Sequence, residues 1–227
     1  VARTVNVLAR SVRRDAFLDA AQRLIQAKGY EQMSIQDVLD AVDTSRGAFY
    51  HYFDSKLELL EAVVDRFADA ALAEIDPILK DPKLPAARKL ERIVGGLARF
   101  KAERKELVLA VIEVMNSDGN ALFREKLSRM TANRFGPMIS SVVRQGIAEG
   151  VFSTAWPEET ARVILSLIQG YQALALEQFV DRQAHRVSFE AVKRTYAALT
   201  EAFERILGAP RGSMQLIDEA TLHFWFD

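Results

Sequence analysis

Apolar residues recur at helical spacing along almost the whole chain. From Val12 to Lys28 they fall at Phe17, Ala20, Ala21, Leu24 and Ile25, one stripe of a helix, and Gly29 supplies a left-handed stop. Ser34 stands three residues before Asp37, the spacing of a capping box, and opens a short helix lined by Ile35, Val38, Leu39 and Val42. Asp43 and Thr44 break that pattern. A second short helix, Ser45 to Tyr52, puts Phe49, Tyr52 and Phe53 on one side and Gly47 and His51 on the other. Ser55 with Glu58 then starts a long helix through Leu57, Leu60, Val64, Phe67, Ala71, Ile75 and Leu79, which Pro77 and Pro82 are expected to disturb.

The rest of the chain predicts longer helices: residues 86–103, 106–115, 120–149, 158–179 and one begun by Ser188 and stopped at Gly208. Gly136-Pro137 predicts a kink or break inside the third of these. The segment 158–179 is apolar around its circumference, a pattern that predicts burial on all sides. Residues 211–227 carry Met214, Leu216, Ile217, Leu222, Phe224, Trp225 and Phe226, more apolar mass than a free tail exposes. Alternation of period two is hardly visible, so the fold class is all-α. The expected organisation is an N-terminal helix-turn-helix domain over 1–56 with a basic arm, a connecting helix over 57–82, and a larger helical domain over 83–227.

Composition narrows the chemistry. The absence of cysteine excludes disulfides, thiolate metal sites and cysteine nucleophiles. His51, His185 and His223 have no metal-ligand spacing, and no paired nucleophile and base or glycine-rich phosphate loop occurs. An enzyme is therefore not expected, nor a cofactor or metal. No apolar run approaches the roughly 18 residues of a membrane span, and the N-terminal arginines have no apolar segment behind them. A cytoplasmic protein without a membrane partner is the expectation. Net charge is −1, so global charge does not argue for nucleic acid. Locally, however, Arg3, Arg10, Arg13 and Arg14 stand in the first 14 residues without an acid, an arm suited to phosphates.

The two short helices and their turn have the shape of a head that reads the DNA major groove. Helix starts at Ser34, Ser45 and Ser55 offer free N–H groups to phosphate, Lys56 adds a charge, Thr44 flanks the outer face, and Tyr50 offers a phenol. The candidates for base reading are Arg46, bidentate to guanine, Gly47, which permits close backbone approach, Ala48, against a thymine methyl, and His51. Arg46 as a backbone contact only, and His51 as a solvated surface histidine, are the plainer alternatives.

The stretch KGYEQMSIQDVLDAVDTSRGAFYHYFDSKLELLEAVV resembles the N-terminal domain of the tetracycline-repressor (TetR) family of bacterial transcription regulators. Gly29-Tyr30, Ser34, the turn before Ser45, Gly47, the Phe49-Tyr50-x-Tyr52-Phe53 cluster and Ser55-Lys56 carry the resemblance, which covers about residues 12–66. One departure is Val42-Asp43-Thr44, where the family commonly has a glycine and an apolar residue. The resemblance implies a homodimer that binds a (pseudo)palindromic double-stranded DNA operator. It also implies a repressor released by a small molecule in the C-terminal domain. Aromatic and methionine residues at helical spacing suggest an apolar or amphipathic effector, with Phe100, Met115, Phe123, Met130, Phe135, Tyr171 and Gln172 as pocket candidates. Two final apolar helices suit a four-helix dimer interface, with Ile164, Ile168, Gly170, Leu174, Tyr196, Leu199 and Phe203 as candidates. A helical interaction module or ligand-binding protein without DNA binding is the alternative.

Overall fold

The computed structural model describes residues 2–226, and their side chains apart from those of residues 2–9, 116 and 118. The helices are α1 (Ala2–Lys28), α2 (Ile35–Val42), α3 (Arg46–Tyr50), α4 (Lys56–Lys80), α5 (Ala86–Ala102), α6 (Lys105–Asn116), α7 (Ala121–Ala148), α8 (Pro157–Gln183), α9 (Phe189–Leu207) and α10 (Glu219–Phe226), with a 3-10 turn at Asp118–Asn120. Among the described residues there is no strand. The chain divides into two compact units, Val1–Ala70 with Arg104–Asn120, and Ala71–Glu103 with Ala121–Asp227.

In the first unit α1 packs on α2 and α6. Phe17, Leu18, Ala21 and Ile25 form the buried stripe of α1; Val38, Leu39, Phe49, Phe53, Leu59 and Leu60 are buried in the same unit, with the Phe17 ring 5.7 Å from Phe49 and 6.0 Å from Phe53. Arg66 of α4 is clamped to α1 by Asp19 at 2.6 Å and Gln22 at 3.0 Å. Residues read from the sequence as an arm instead continue α1 back to Ala2. Nothing in ARTVNVLARS breaks a helix, since the segment has neither Gly nor Pro. Arg3 is the one arginine of that segment whose side chain lies outside the described residues.

In the second unit the core gathers Ile75, Leu90, Ile93, Ile139, Val142, Val143, Phe152, Ile164, Leu165, Phe203 and Leu207. The start of α5 is pinned to the end of α7: the Ala86 N–H donates to Glu149 at 2.9 Å, and Gln145 donates to the Leu84 carbonyl at 3.0 Å. Buried Lys89 caps the end of α4 by donating to the Leu79 carbonyl at 2.7 Å. Pro77 and Pro137 both lie inside helices that continue past them, so α4 reaches Lys80 and α7 is unbroken. Each proline is exposed, and so is the residue four before it, Ala73 or Asn133. Water can therefore solvate the carbonyl that loses its donor.

Helix α8 is not buried on all sides. It packs along α7 and against α9 and α10, which cover Thr160, Ala161, Ile164 and Leu165. The other side leaves Val163, Leu174 and Val180 41–50% exposed. Among the described residues α8 is the helix long and apolar enough to cross a membrane, although little of its length is buried within the chain.

Residues 211–226 dock on their own unit. Met214, Leu216, Leu222 and Phe226 are buried. The buried Glu204 carboxylate accepts the N–H groups of Gly212 at 2.9 Å and Met214 at 3.0 Å. The segment then crosses to α5: the Gln215 N–H donates to Glu91 at 2.8 Å, Arg99 pairs with Asp218 at 3.3 Å, and the Trp225 indole N–H donates to the Ala98 carbonyl at 3.2 Å.

Candidate nucleic-acid interface

The outer face of the first unit is built by three short-range devices. Ser34 caps α2 in a full capping box: its hydroxyl accepts the Asp37 N–H at 3.1 Å while its own N–H reaches the Asp37 carboxylate at 2.7 Å. The Ser34 hydroxyl also donates to Asp37 at 2.7 Å, and Lys28 lies 2.7 Å from the same carboxylate. The Lys28 and Ser34 bonds hold Asp37 well below the usual carboxylate range. Ser34 therefore has no hydroxyl proton left for a phosphate, and its role here is that of a cap.

Asp43 ends α2 in the left-handed region at φ 52°, with its N–H directed to Asp40 and Leu39 carbonyls. That conformation explains why the turn works without the glycine: a short acidic side chain tolerates it better than most. Ser45, extended at φ −83°, caps α3 by accepting the Ala48 N–H at 3.4 Å.

Helix α3 is too short to hold itself, so aromatic packing positions it. Phe49 is fully buried, with its ring edge-on to Phe17 at 5.7 Å and tilted against Phe53 at 5.7 Å. Tyr52 closes on Phe17 at 5.7 Å. Ser45, Arg46, Gly47, Tyr50 and His51 are exposed, and Thr44 and Ala48 are half-buried beside them. Tyr50 braces edge-on against Phe49 at 5.4 Å while 44% exposed, and His51 meets the Tyr52 ring at 5.3 Å. Lys56, by contrast, is already engaged: its ammonium donates to the Glu31 carbonyl at 3.2 Å and lies 4.2 Å from the Tyr30 ring centroid. Two donors remain on it for a phosphate.

Three arginines were flagged by the sequence only as part of an arm. Arg13 donates to the Thr44 hydroxyl oxygen at 2.8 Å, Arg10 lies over Tyr52 at 5.9 Å and Arg14 over Phe53 at 5.7 Å. Their spacing from Phe17 (four, seven and three residues) is the signal that would have placed them on its face.

In the second unit, Phe100 and Phe123 are buried, and Met130, Phe135, Tyr171 and Gln172 are half-buried. Met115 belongs to the first unit. Burial, then the Tyr196 hydroxyl, raises the Tyr171 phenol, whose ring is edge-on to Tyr196 at 5.0 Å. A groove of about 400 Å³ lies between α9 and residues 211–222, and none of these candidates lines it.

Two of the residues expected at a dimer interface are excluded from it. Ile164 and Phe203 have no exposed surface within one chain, so they have none to give a partner. Ile168 and Leu199 pack on the same core, and Tyr196 is taken up by Tyr171 and Phe226. Gly170 and Leu174 are exposed.

Comparison with known proteins adds an independent line. Residues 17–63 match the model for bacterial regulatory proteins of the tetR family, and residues 106–193 match a tetracyclin repressor-like C-terminal domain; together these take in more than half of the chain. An uncharacterized HTH-type transcriptional regulator of Lactococcus lactis is 48% identical over 52 residues, a match that spans 23% of this chain and 26% of that relative. The transcriptional repressor KstR2 of Mycolicibacterium smegmatis is 26% identical over 62% of this chain and 67% of its own. Among solved structures, a SmeT–triclosan complex aligns with a TM-score of 0.62 at 18% identity, over 91% of this chain and 98% of that one.

Proposed function

The chain belongs to the TetR family of bacterial transcription regulators, and from that premise we propose that it is a homodimeric repressor whose α3 helices read a two-fold operator. The family's members are DNA-binding regulators and not enzymes. The observation that carries the reading is the outer face of α3. One fully buried side chain, Phe49, holds the helix, while Arg46, Gly47, Tyr50 and His51 stand exposed. Arg46 reads a guanine, Gly47 admits the backbone to the groove, and Tyr50 and Lys56 hold phosphates.

Two heads are needed because one offers few readers. They enter successive major grooves when about 34–36 Å apart. The open side of α8, with Val163, Gly170, Ala173, Leu174 and Val180, is the surface we assign to the second copy. The small residues let two helices approach, and the apolar ones are then removed from water. A small apolar or amphipathic molecule in the second unit releases the operator by favouring another head spacing. Its effect is limited to its differential affinity for the two arrangements. That KstR2 is a repressor and that SmeT binds triclosan supports both parts of this reading.

The test is selection of bound duplexes from a random-sequence pool, followed by retardation over a salt series. A two-fold consensus with a steep salt slope is expected. Recovery of no preferred sequence would overturn operator reading, and the helical interaction module would then be favoured.

A further inference from the structure

The stripe of α1 that buries Phe17 does not end where burial ends. Counting back from Phe17 by three, four and seven residues gives Arg14, Arg13 and Arg10, all on the face that meets α3. Each is fixed to the reading head: Arg10 over Tyr52 at 5.9 Å, Arg14 over Phe53 at 5.7 Å, and Arg13 bonded to Thr44 at 2.8 Å. All three are exposed. Arg10 and Arg14 are held against the same aromatic cluster that seats α3, and Arg13 against the turn just before it.

The Arg13–Thr44 pair has a consequence for hydrogen direction. Thr44 accepts from the guanidinium through its oxygen. Its single hydroxyl proton must then point elsewhere, and four of the five guanidinium N–H groups remain unused by that bond. A guanidinium and a hydroxyl side by side, both with donors to spare, suit the non-bridging oxygens of a phosphodiester. Thr44 lies directly before the Ser45 cap of α3, so a phosphate held there sits next to the reading helix.

We propose that Arg13 and Thr44 together form a backbone-phosphate clamp beside α3, flanked by Arg10 and Arg14, that fixes the register of the reading head on DNA. This rests on the DNA-binding reading above. It adds α1 to the interface, an element outside the helix-turn-helix. Arg13 carries affinity without sequence choice, whereas Arg46 carries the choice.

Two duplexes provide the test, one recovered by selection from the random pool and a scrambled one of equal length, with retardation over a salt series. For Arg13→Ala we expect log K to fall less steeply with log salt, by about 0.9 per protomer, and both duplexes to weaken by the same factor. Thr44→Val should weaken both duplexes as well, and the double variant should lose less than the product of the two single losses. Arg13→Gln, which keeps a donor for Thr44 without the charge, should show the same change of slope with the fold intact by circular dichroism. An unchanged slope in Arg13→Ala and Arg13→Gln, with wild-type binding normal, overturns the clamp alone. Failure of the wild-type protein to bind either duplex overturns the DNA reading itself.

Discussion

Gly146 is the position where a single methyl group should do the most damage. A Cβ built there meets the Phe152 ring at 2.0 Å from Cδ2, 2.5 Å from Cε2 and 2.6 Å from Cγ. The ring cannot step aside cheaply. Phe152 is 3% exposed within the core, and its chain is held at both ends of the turn: the Val151 and Phe152 N–H groups bond the Gly146 carbonyl at 2.9 and 3.0 Å, and the Ser153 N–H bonds the Leu207 carbonyl at 2.8 Å. Overpacking of this kind costs about 1–3 kcal/mol, and contact with Cγ, near the base of the side chain, argues for the upper end. For a chain of this length that range corresponds to a fall in Tm of roughly 2–12 °C, with the upper part expected here. Thermal and denaturant unfolding of Gly146→Ala measure it. Repeating the substitution in a Phe152→Ala background isolates the cause, because with the ring gone the methyl occupies vacated space and costs nearly nothing. A Gly146→Ala protein within about 0.5 kcal/mol of the parent, or an equal loss in both backgrounds, would refute the reasoning.

Arg46→Ala should relax preference at one base pair in each half-site, by about 1–3 kcal/mol, read by repeating the duplex selection; equal weakening on every sequence would make Arg46 a backbone contact. Leu174→Glu puts a charge on the open side of α8 and should shift sedimentation from dimer towards monomer while the helix content stays constant; an unchanged dimer would move the interface elsewhere. Asp43→Gly relieves a left-handed residue and should raise the stability of the first unit by about 1 kcal/mol, with a lower melting temperature as the refuting result. Burial, then Glu31, pushes the Tyr30 phenol up from 10.0 to about 12. Stability from the neutral phenol is therefore complete below pH 10 and is lost as pH rises towards 12. An alkaline absorbance titration should show Tyr30 ionising late together with the buried Tyr171–Tyr196 pair, and Tyr30→Phe should remove one phenol from that late group.

The first unit was the more legible part of the chain because its signals are local. The Ser34–Asp37 box, the glycine stop at Gly29 and the division of α3 into Phe49 inside and Gly47 and His51 outside all follow from spacing within one turn or two. What the sequence could not supply there was range. Nothing local says that Arg13 reaches Thr44, 31 residues on. The second unit failed differently. Where a helix is apolar all round, periodicity no longer separates the side facing the core from the side facing a partner. Ile164 and Val163 read alike in sequence, although one is fully buried and the other half exposed. The prolines divide in the same way: α4 does end at Lys80, before Pro82, whereas Pro77 and Pro137 lie inside helices that run on. The residue four before each of these two is exposed, and spacing alone does not report that exposure.

The docking of residues 211–226 on α5 also sets a schedule for synthesis. Trp225 follows its acceptor, Ala98, by 127 residues. At about 5–20 residues per second, roughly 6–25 s pass between the translation of α5 and that of the segment that covers it. During that interval the nascent second unit has most of its helices but lacks Met214, Leu216, Leu222 and Phe226 from its buried set. Apolar surface stays open on a tethered chain, the condition that recruits chaperones and favours aggregation. The time the ribosome needs to reach α10 is thus a folding parameter of this protein.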